Sequence, residues 1–304
     1  MTILNYDATK RAADAIYDDA VVFQMTLADS VKLSGKGLHS GHETVVEILP
    51  APENTGIVFR HGTHAISGLA LNVIDTSRGT TIGLDGFKVL TIEHLMAALR
   101  GSGVDNAYVE ISGGETPALD GSAGPYIDAI QAVGLVEQEA ERRCITISEP
   151  ICVRRKDSFI LAVPASEMRI TYTMAYDHPM IGSQTATYTL NEADFGKEIA
   201  PARTFVLYEE VAGLLDRELA KGGNLDNVIV IWQDHMSSAL RFPDELVRHK
   251  VVDMIGDLAL IGGILNAEIL AVRSGHALNV EFAKEVLRAA DKTMVAPRTR
   301  AVTV

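Results

Sequence analysis

His249, Asp253 and Asp257 recur at intervals of four in the run Arg241-Phe-Pro-Asp-Glu-Leu-Val-Arg-His249-Lys250-Val-Val-Asp253-Met-Ile-Gly-Asp257-Leu-Ala-Leu260. On an α-helix that spacing stacks three polar side chains along one face. A neutral imidazole and a carboxylate one turn apart can share a single zinc ion, whose N and O ligands lie at about 2.0–2.2 Å. Alone, H-x-x-x-D equally describes a solvated face or a plain His–Asp hydrogen bond. What favours a ligand pair is the setting, an otherwise apolar helix that spends three polar residues on one line. A catalytic site would need one more protein ligand from elsewhere and an open position for water.

A candidate for that ligand lies in Thr91-Ile-Glu93-His94-Leu95. In a zinc hydrolase, one member of an adjacent Glu–His pair can hold the metal while its neighbour handles protons. The plain alternative is a charged helix start with a capping histidine. His39, His42, His61 and His64 lie at irregular spacing in turn-rich sequence and read as solvated or backbone-bonded, with His39 kept as a secondary site candidate. Asp120-Gly-Ser-Ala-Gly124 has Asp where a nucleophile elbow needs Gly, so serine catalysis is rejected.

These residues must be positioned by helices. Pro243 suits a first turn, Asp244 and Glu245 suit the positive end of the dipole, and Leu246, Val247, Val251, Ile255 and Leu258 recur at helical spacing. A helix over 244–260 is expected. A second is expected from Thr91 as N-cap to Gly101, with Leu95, Ala98 and Leu99 facing a core. Short strands with Gly turns are expected before that helix from Thr26 to Leu84, among them a hairpin through Ser34–His42, and after it at Asn106–Ile111, and strands return from Cys144. Further helices are expected over 126–133, 209–220 and 282–291. The charged run 136–143 reads as a link.

The two halves echo each other. One helix leads into Gly103-Val-Asp-Asn106-Ala107 and the other into Gly263-Ile-Leu-Asn266-Ala267, each followed by a strand. Two similar α+β domains are therefore expected, at 25–140 and 141–304, after an extension over 1–24 that could form a loose helix from Ala8 to Ala20. A site between them would draw Glu93 and His94 from one half, and His249, Asp253 and His276 from the other.

At 304 residues with 47% hydrophobic content, the chain has ample core for two domains. A formal net charge of −13 argues against a general nucleic-acid binder, although a few local cations could still hold an anionic small substrate. Two cysteines, Cys144 and Cys152, give neither a disulfide framework nor a zinc–thiolate spacing and fit a reducing cytosol. No signal-peptide pattern or membrane-length apolar run is legible, so a soluble cytoplasmic protein is expected.

Taken together, Thr91-Ile-Glu93-His94-Leu95, Leu119-Asp120-Gly-Ser-Ala123, Asp177-His-Pro-Met-Ile181, Ala202-Arg-Thr204-Phe205, Gly222-Gly-Asn-Leu-Asp-Asn227, the His249–Asp257 run and Ser274-Gly-His276-Ala-Leu278 closely resemble the UDP-3-O-acyl-N-acetylglucosamine deacetylases. These are zinc enzymes of the committed step of bacterial lipid A (lipopolysaccharide) synthesis. The resemblance runs in order from about residue 26 to about residue 290. It implies two domains, each a small, mostly antiparallel sheet packed on helices, layered sheet-helix-helix-sheet with the active site between. It also implies one zinc ion per chain, held by His94, His249 and Asp253. Glu93 is then the general base and His276 the charged partner or general acid, with Asp257 orienting His276. Thr204 stabilises the oxyanion and Lys250 holds the substrate. Residues 205–234 form an insert with a hydrophobic passage for the acyl chain, in which Phe205 and Leu207 are assigned to substrate binding. The implied partner is the UDP-linked acylated amino sugar, acted on by a monomer. A zinc-binding sensor without catalysis, and a zinc amidase for another N-acetyl sugar, use the same ligands; retention of both Glu93 and His276 argues against the sensor.

Overall fold

The computed structural model describes residues 22–293, with the side chains of the last three left aside. The helix expected over Ala8–Ala20 lies outside the described residues. The chain is α+β, and its two halves use one strand plan.

In the first half, β1 (Phe23–Leu27) is followed by β2 (Val31–Lys36), β3 (Glu43–Pro50), β4 (Ile57–His61) and β5 (His64–Ser67). A small side sheet, β6 (Val73–Asp75), β7 (Thr81–Leu84) and β8 (Phe87–Val89), leads into α1 (Glu93–Gly101), β9 (Ala107–Ile111) and α2 (Gly124–Val133). The main sheet has the order β2-β3-β9-β4-β5, antiparallel throughout except where β4 runs parallel to β9. Alternation explains the strand choice: in β3, Thr44, Val46 and Ile48 are buried while Val45, Glu47 and Leu49 are less so, as one core-facing side requires.

Beyond β10 (Leu135–Glu141) and β11 (Cys144–Thr146), the second half builds β12 (Ile151–Arg155), β13 (Ser158–Pro164), β14 (Arg169–Ala175) and β15 (Ser183–Thr189). Then come β16 (Phe205–Leu207), α3 (Tyr208–Leu215), β17 (Ile229–Ile231), α4 (Glu245–Ala259), β18 (Ile264–Val272) and α5 (His276–Thr293). Its main sheet has the order β12-β13-β18-β14-β15, with β14 parallel to β18 as β4 is to β9, and short β11 adds beside β18, also in parallel. The matching plan makes β9 and β18 equivalent central strands, each entered from the helix that carries candidate ligands. Helices α1 and α4 pack on each other between the sheets. No helix among the described residues is long and apolar enough to cross a membrane.

Several expectations need correction. Helix α1 begins at Glu93 with Ile92 at the cap, and Thr91 does not cap it. Thr91 instead has φ +57° and donates its hydroxyl to buried Glu115 at 3.0 Å. The charged run 136–143 lies largely within β10, which pairs antiparallel with β1; its acidic side chains can face solvent while the backbone closes a ladder. Residues Phe23 and Gln24 of the expected extension already belong to β1. Helix α3 stops at Leu215, short of the expected 220, and α5 begins at His276, six residues earlier than 282.

One buried ion pair ties the segment before β16 to the start of α4. Arg203 donates from Nε and Nη2 to Glu245 at 2.8 and 3.1 Å, and Glu245 also accepts the Arg203 backbone N–H at 3.0 Å. Glu245 is wholly buried. Removing one member leaves a buried charge without its partner, so Glu245→Ala is expected to cost about 3–5 kcal/mol. Urea unfolding of the variant checks this; a loss below about 1 kcal/mol would mean that water replaces the carboxylate there.

Candidate active site

Close helix packing brings the candidate ligands together. A Cβ on Gly256 of α4 would lie 2.0 Å from the Glu93 carbonyl oxygen, so the two backbones meet where only hydrogen fits. From opposite sides of this contact, α1 supplies His94 while α4 supplies His249 and Asp253. All three are buried, and one ligating atom from each lies within 4.8 Å of the others. Asp253 Oδ1 is 3.3 Å from His249 Nε2 and 3.5 Å from His94 Nε2. Two ligands held at about 2.1 Å from one ion in tetrahedral geometry stand about 3.4 Å apart. The donor set therefore fits a single zinc-sized cation without rearrangement of these pairs.

The surrounding groups prepare the ligands. His249 Nδ1 lies 3.0 Å from the Ala202 carbonyl, which fixes Nδ1–H as the donor and leaves the Nε2 lone pair facing Asp253. Burial pushes His249 down to about 3, so it is a neutral imidazole at physiological pH. For Asp253, burial pushes upward, but neighbouring positive charge, with the Lys250 ammonium bonded to it, outweighs this and holds the carboxyl well below its ordinary range. Lys250 Nζ reaches Asp253 Oδ2 at 2.9 Å and lies over the Phe205 ring at 5.2 Å.

Beside the triad, the Glu93 carboxylate accepts the Thr80 backbone N–H at 2.8 Å, and burial raises its pKa above the usual carboxylate value. Opposite stands His276, whose Nδ1 is 2.9 Å from Asp257 Oδ2. Burial alone would lower His276, but the Asp257 charge and hydrogen bond reverse this and raise it to about 10. Asp257 in turn accepts from Asn279 at 2.9 Å and from the Thr80 hydroxyl at 2.5 Å. Thr80 thus holds Glu93 through its backbone and Asp257 through its side chain. Sequence reasoning passed over it, because it sits in Arg78-Gly79-Thr80-Thr81, which has no periodic signal.

Glu93, His94, His249, Asp253 and His276 line one cleft of about 430 Å³ together with Thr204, Phe205 and Lys250. Asp257 lies behind His276. Leu207 is not on the wall of this cleft and packs instead against the core. His39 is likewise outside it: its Nε2 faces the Arg78 carbonyl at 3.0 Å and its Nδ1 accepts from the Ala220 N–H at 3.3 Å, a structural clasp between the hairpin and the 205–234 segment. Asp120 accepts from Ser122 and pairs with Arg241 at 2.9 Å. Arg155, which pairs with Glu281 at 2.6 Å, and Arg273 also line the cleft, and sequence reading did not single them out.

A carboxylate with raised affinity for protons and a charged imidazole, flanking a His-His-Asp donor set, can deliver a proton on one side and accept it on the other. The fold and this arrangement define a metal-dependent hydrolase. Comparison with known proteins narrows the class. The family model described as LpxC, UDP-3-O-acyl N-acetylglycosamine deacetylase, matches residues 24–288. Curated relatives named UDP-3-O-acyl-N-acetylglucosamine deacetylase include one from Chlamydia pneumoniae, 40% identical over 274 residues, covering 88% of this chain and 97% of that protein. Another, from Myxococcus xanthus, is 42% identical over 272 residues, covering 87% and 86%. A third, from Saccharophagus degradans, is 39% identical over 279 residues, covering 89% and 92%. This chain belongs to the UDP-3-O-acyl N-acetylglycosamine deacetylase family.

Two outcomes are expected from this geometry. Thr80→Val keeps shape but removes the hydroxyl that holds Asp257; kcat should fall about ten- to a hundred-fold with metal content and KM little changed, and Thr80→Ser should recover most of the loss. Equal defects in both variants would make the effect one of packing. In the metal-free protein, NMR titration should find the His276 imidazole charged up to about pH 10. Its charged form then contributes stability in full below its ordinary 6.5, a contribution lost as the pH climbs through about 10. Asp257→Asn should lower that pKa by about 1–3 units; an unmoved titration would show that Asp257 does not hold the charge.

Proposed function

We propose that the chain hydrolyses the 2-acetamido group of a UDP-3-O-acyl-N-acetylglucosamine, releasing acetate and the free amine, in the cytoplasm and as the committed step of lipid A synthesis. The observation that carries this reading is the pairing of Glu93 and His276 across one His-His-Asp donor set, since a sensor that only binds metal needs neither. The two α+β halves act as domains divided near residue 140, with the reaction at their interface.

His94, His249 and Asp253 would hold one zinc ion, which supplies a water of lowered pKa and polarises the amide carbonyl when bound. Glu93, its proton affinity raised by burial, takes the proton from the attacking water. The Thr204 hydroxyl, on the cleft wall, donates to the developing oxyanion, a kind of contact worth about 3–4 kcal/mol. His276 enters the reaction charged, stabilises the tetrahedral species and can donate its proton to the leaving amine; Asp257 keeps it oriented and cationic. Lys250 neutralises Asp253 and places an ammonium at the cleft wall for the substrate. Arg273, with Lys250 on the same cleft wall, suits the diphosphate of a nucleotide sugar, so an acidic protein can meet its anionic substrate through local cations.

The 205–234 segment is assigned to the acyl chain. Phe205 stands at the cleft beside Lys250, and Tyr208, Leu215 and Leu225 of the same segment leave apolar surface in solvent that a hydrocarbon chain could cover.

Glu93→Gln is expected to keep its zinc while losing about a hundred- to ten-thousand-fold in turnover. Metal analysis alongside acetate release decides this: lost zinc would make Glu93 a ligand, and unchanged turnover would end its role as base. Each buried methylene is worth up to about 0.8 kcal/mol, so shortening the acyl chain by several carbons should cost orders of magnitude in kcat/KM. Leu207 packs against the core, so the exposed Leu215 is the cleaner probe: Leu215→Glu should penalise long chains more than short ones without touching zinc content. Equal losses on both substrates would remove this segment from the passage.

A further inference from the structure

A second cavity, of about 270 Å³, opens near the C-terminal end of α1 and shares no lining residue with the catalytic cleft. Both halves of the chain build it, through Leu69, Met96 and Arg100 on one side and Arg143, Ala259 and Gly262 on the other. Arg100 stands six residues beyond His94, roughly 9 Å of helix rise.

The polar groups around this cavity divide into those already satisfied and those left over. Asp105 Oδ2 accepts from the Met25 N–H at 2.8 Å and from Arg142 Nε at 2.7 Å. Arg142 also reaches Glu192 at 3.0 Å. Gln24 donates to Asn54 at 3.0 Å and accepts from Asn106 at 2.8 Å. The side chains of Arg100 and Arg143 remain: among the described residues neither has an ion pair or a hydrogen-bonding acceptor. Arg100 is half-buried; its burial and the nearby Arg142 charge work against its cation, while the Asp105 and Glu192 charges work for it without a hydrogen bond to either. Arginine stays charged regardless, so its donors must find their acceptors in water or in an anion that enters the cavity. The helix dipole accounts for a basic residue in the last turn of α1. It does not account for a guanidinium that lines a cavity with no acceptor of its own.

We propose that this cavity binds a small carboxylate with a short apolar body. A guanidinium presents a rigid fork that matches a carboxylate's two oxygens, and Arg143 lies alongside at the rim. Leu69, Met96 and Ala259 supply the apolar wall for the hydrocarbon part. The volume is just under the range of about 300–1,000 Å³ usual for drug-sized ligands, which limits the occupant to a smaller molecule. Because the walls come from both halves, an occupant adds contacts between them and stabilises the native state by mass action.

The test uses hexanoate as probe on the full chain, followed by calorimetry and thermal melting, with hexanol and inorganic phosphate as comparisons. Hexanoate should bind saturably and raise Tm, with hexanol and phosphate each at least ten-fold weaker. Arg100→Met, which keeps the length and apolar stem, should bind hexanoate at least ten-fold more weakly. Arg143→Gln, at an exposed position where misfolding is no concern, should bind it several-fold more weakly and carries the test if Arg100→Met does not fold. Saturable binding that is unchanged in both variants would place the probe elsewhere, such as the acyl passage, and overturn the proposal. So would an absence of saturable binding, or phosphate binding as tightly as hexanoate, which would leave a bare anion site.

Discussion

The site exists because α1 and α4 touch backbone to backbone. Glycine inside a helix costs about 1 kcal/mol relative to alanine, yet at residue 256 any side chain would collide with the Glu93 carbonyl. That contact sets the distance between His94 on one helix and His249 and Asp253 on the other. An added methyl group would push the helices apart and open the 3.3–3.5 Å spacings that suit a single ion. The two similar sheets serve the same end, since each presents one ligand-bearing helix to the other.

Burial then gives chemically similar groups different roles. Asp253, bonded to the Lys250 ammonium, is held charged, as the proposed ligand role requires. Glu93 has one backbone N–H from Thr80 in place of a cation bonded to it, and its proton affinity rises, as suits a base. His249 is kept neutral by burial, whereas His276 is kept charged by Asp257. Two histidines and two carboxylates are thus given different charge states by what each one touches, as the proposed roles of ligand, base and acid require.

How much of this was legible in the sequence follows the range of the interactions. His249, Asp253 and Asp257 could be read directly because a helix converts a spacing of four into a shared face. The matching strand plan was legible through Gly103–Ala107, which leads into β9, and Gly263–Ala267, which opens the equivalent central strand β18. Thr80 was not legible: its partners Glu93 and Asp257 lie 13 and 177 residues away, and nothing local marks it. Arg203 and Glu245, 42 residues apart, were missed for the same reason. Thr91 shows the opposite failure, in which a plausible local role as a helix cap gave way to a tertiary bond with Glu115. Strand β10 was hidden because its charged side chains suggested a link, while its pairing depends on backbone groups that composition does not report.

The central claim is that the three side chains meeting between α1 and α4 form one zinc site. Zinc-edge X-ray absorption on the zinc-loaded protein tests it directly. The expected shell holds two imidazole nitrogens with carboxylate or water oxygen at about 2.0–2.2 Å, and no sulfur. Sulfur scattering near 2.3 Å, or a shell with a single imidazole, would contradict the account.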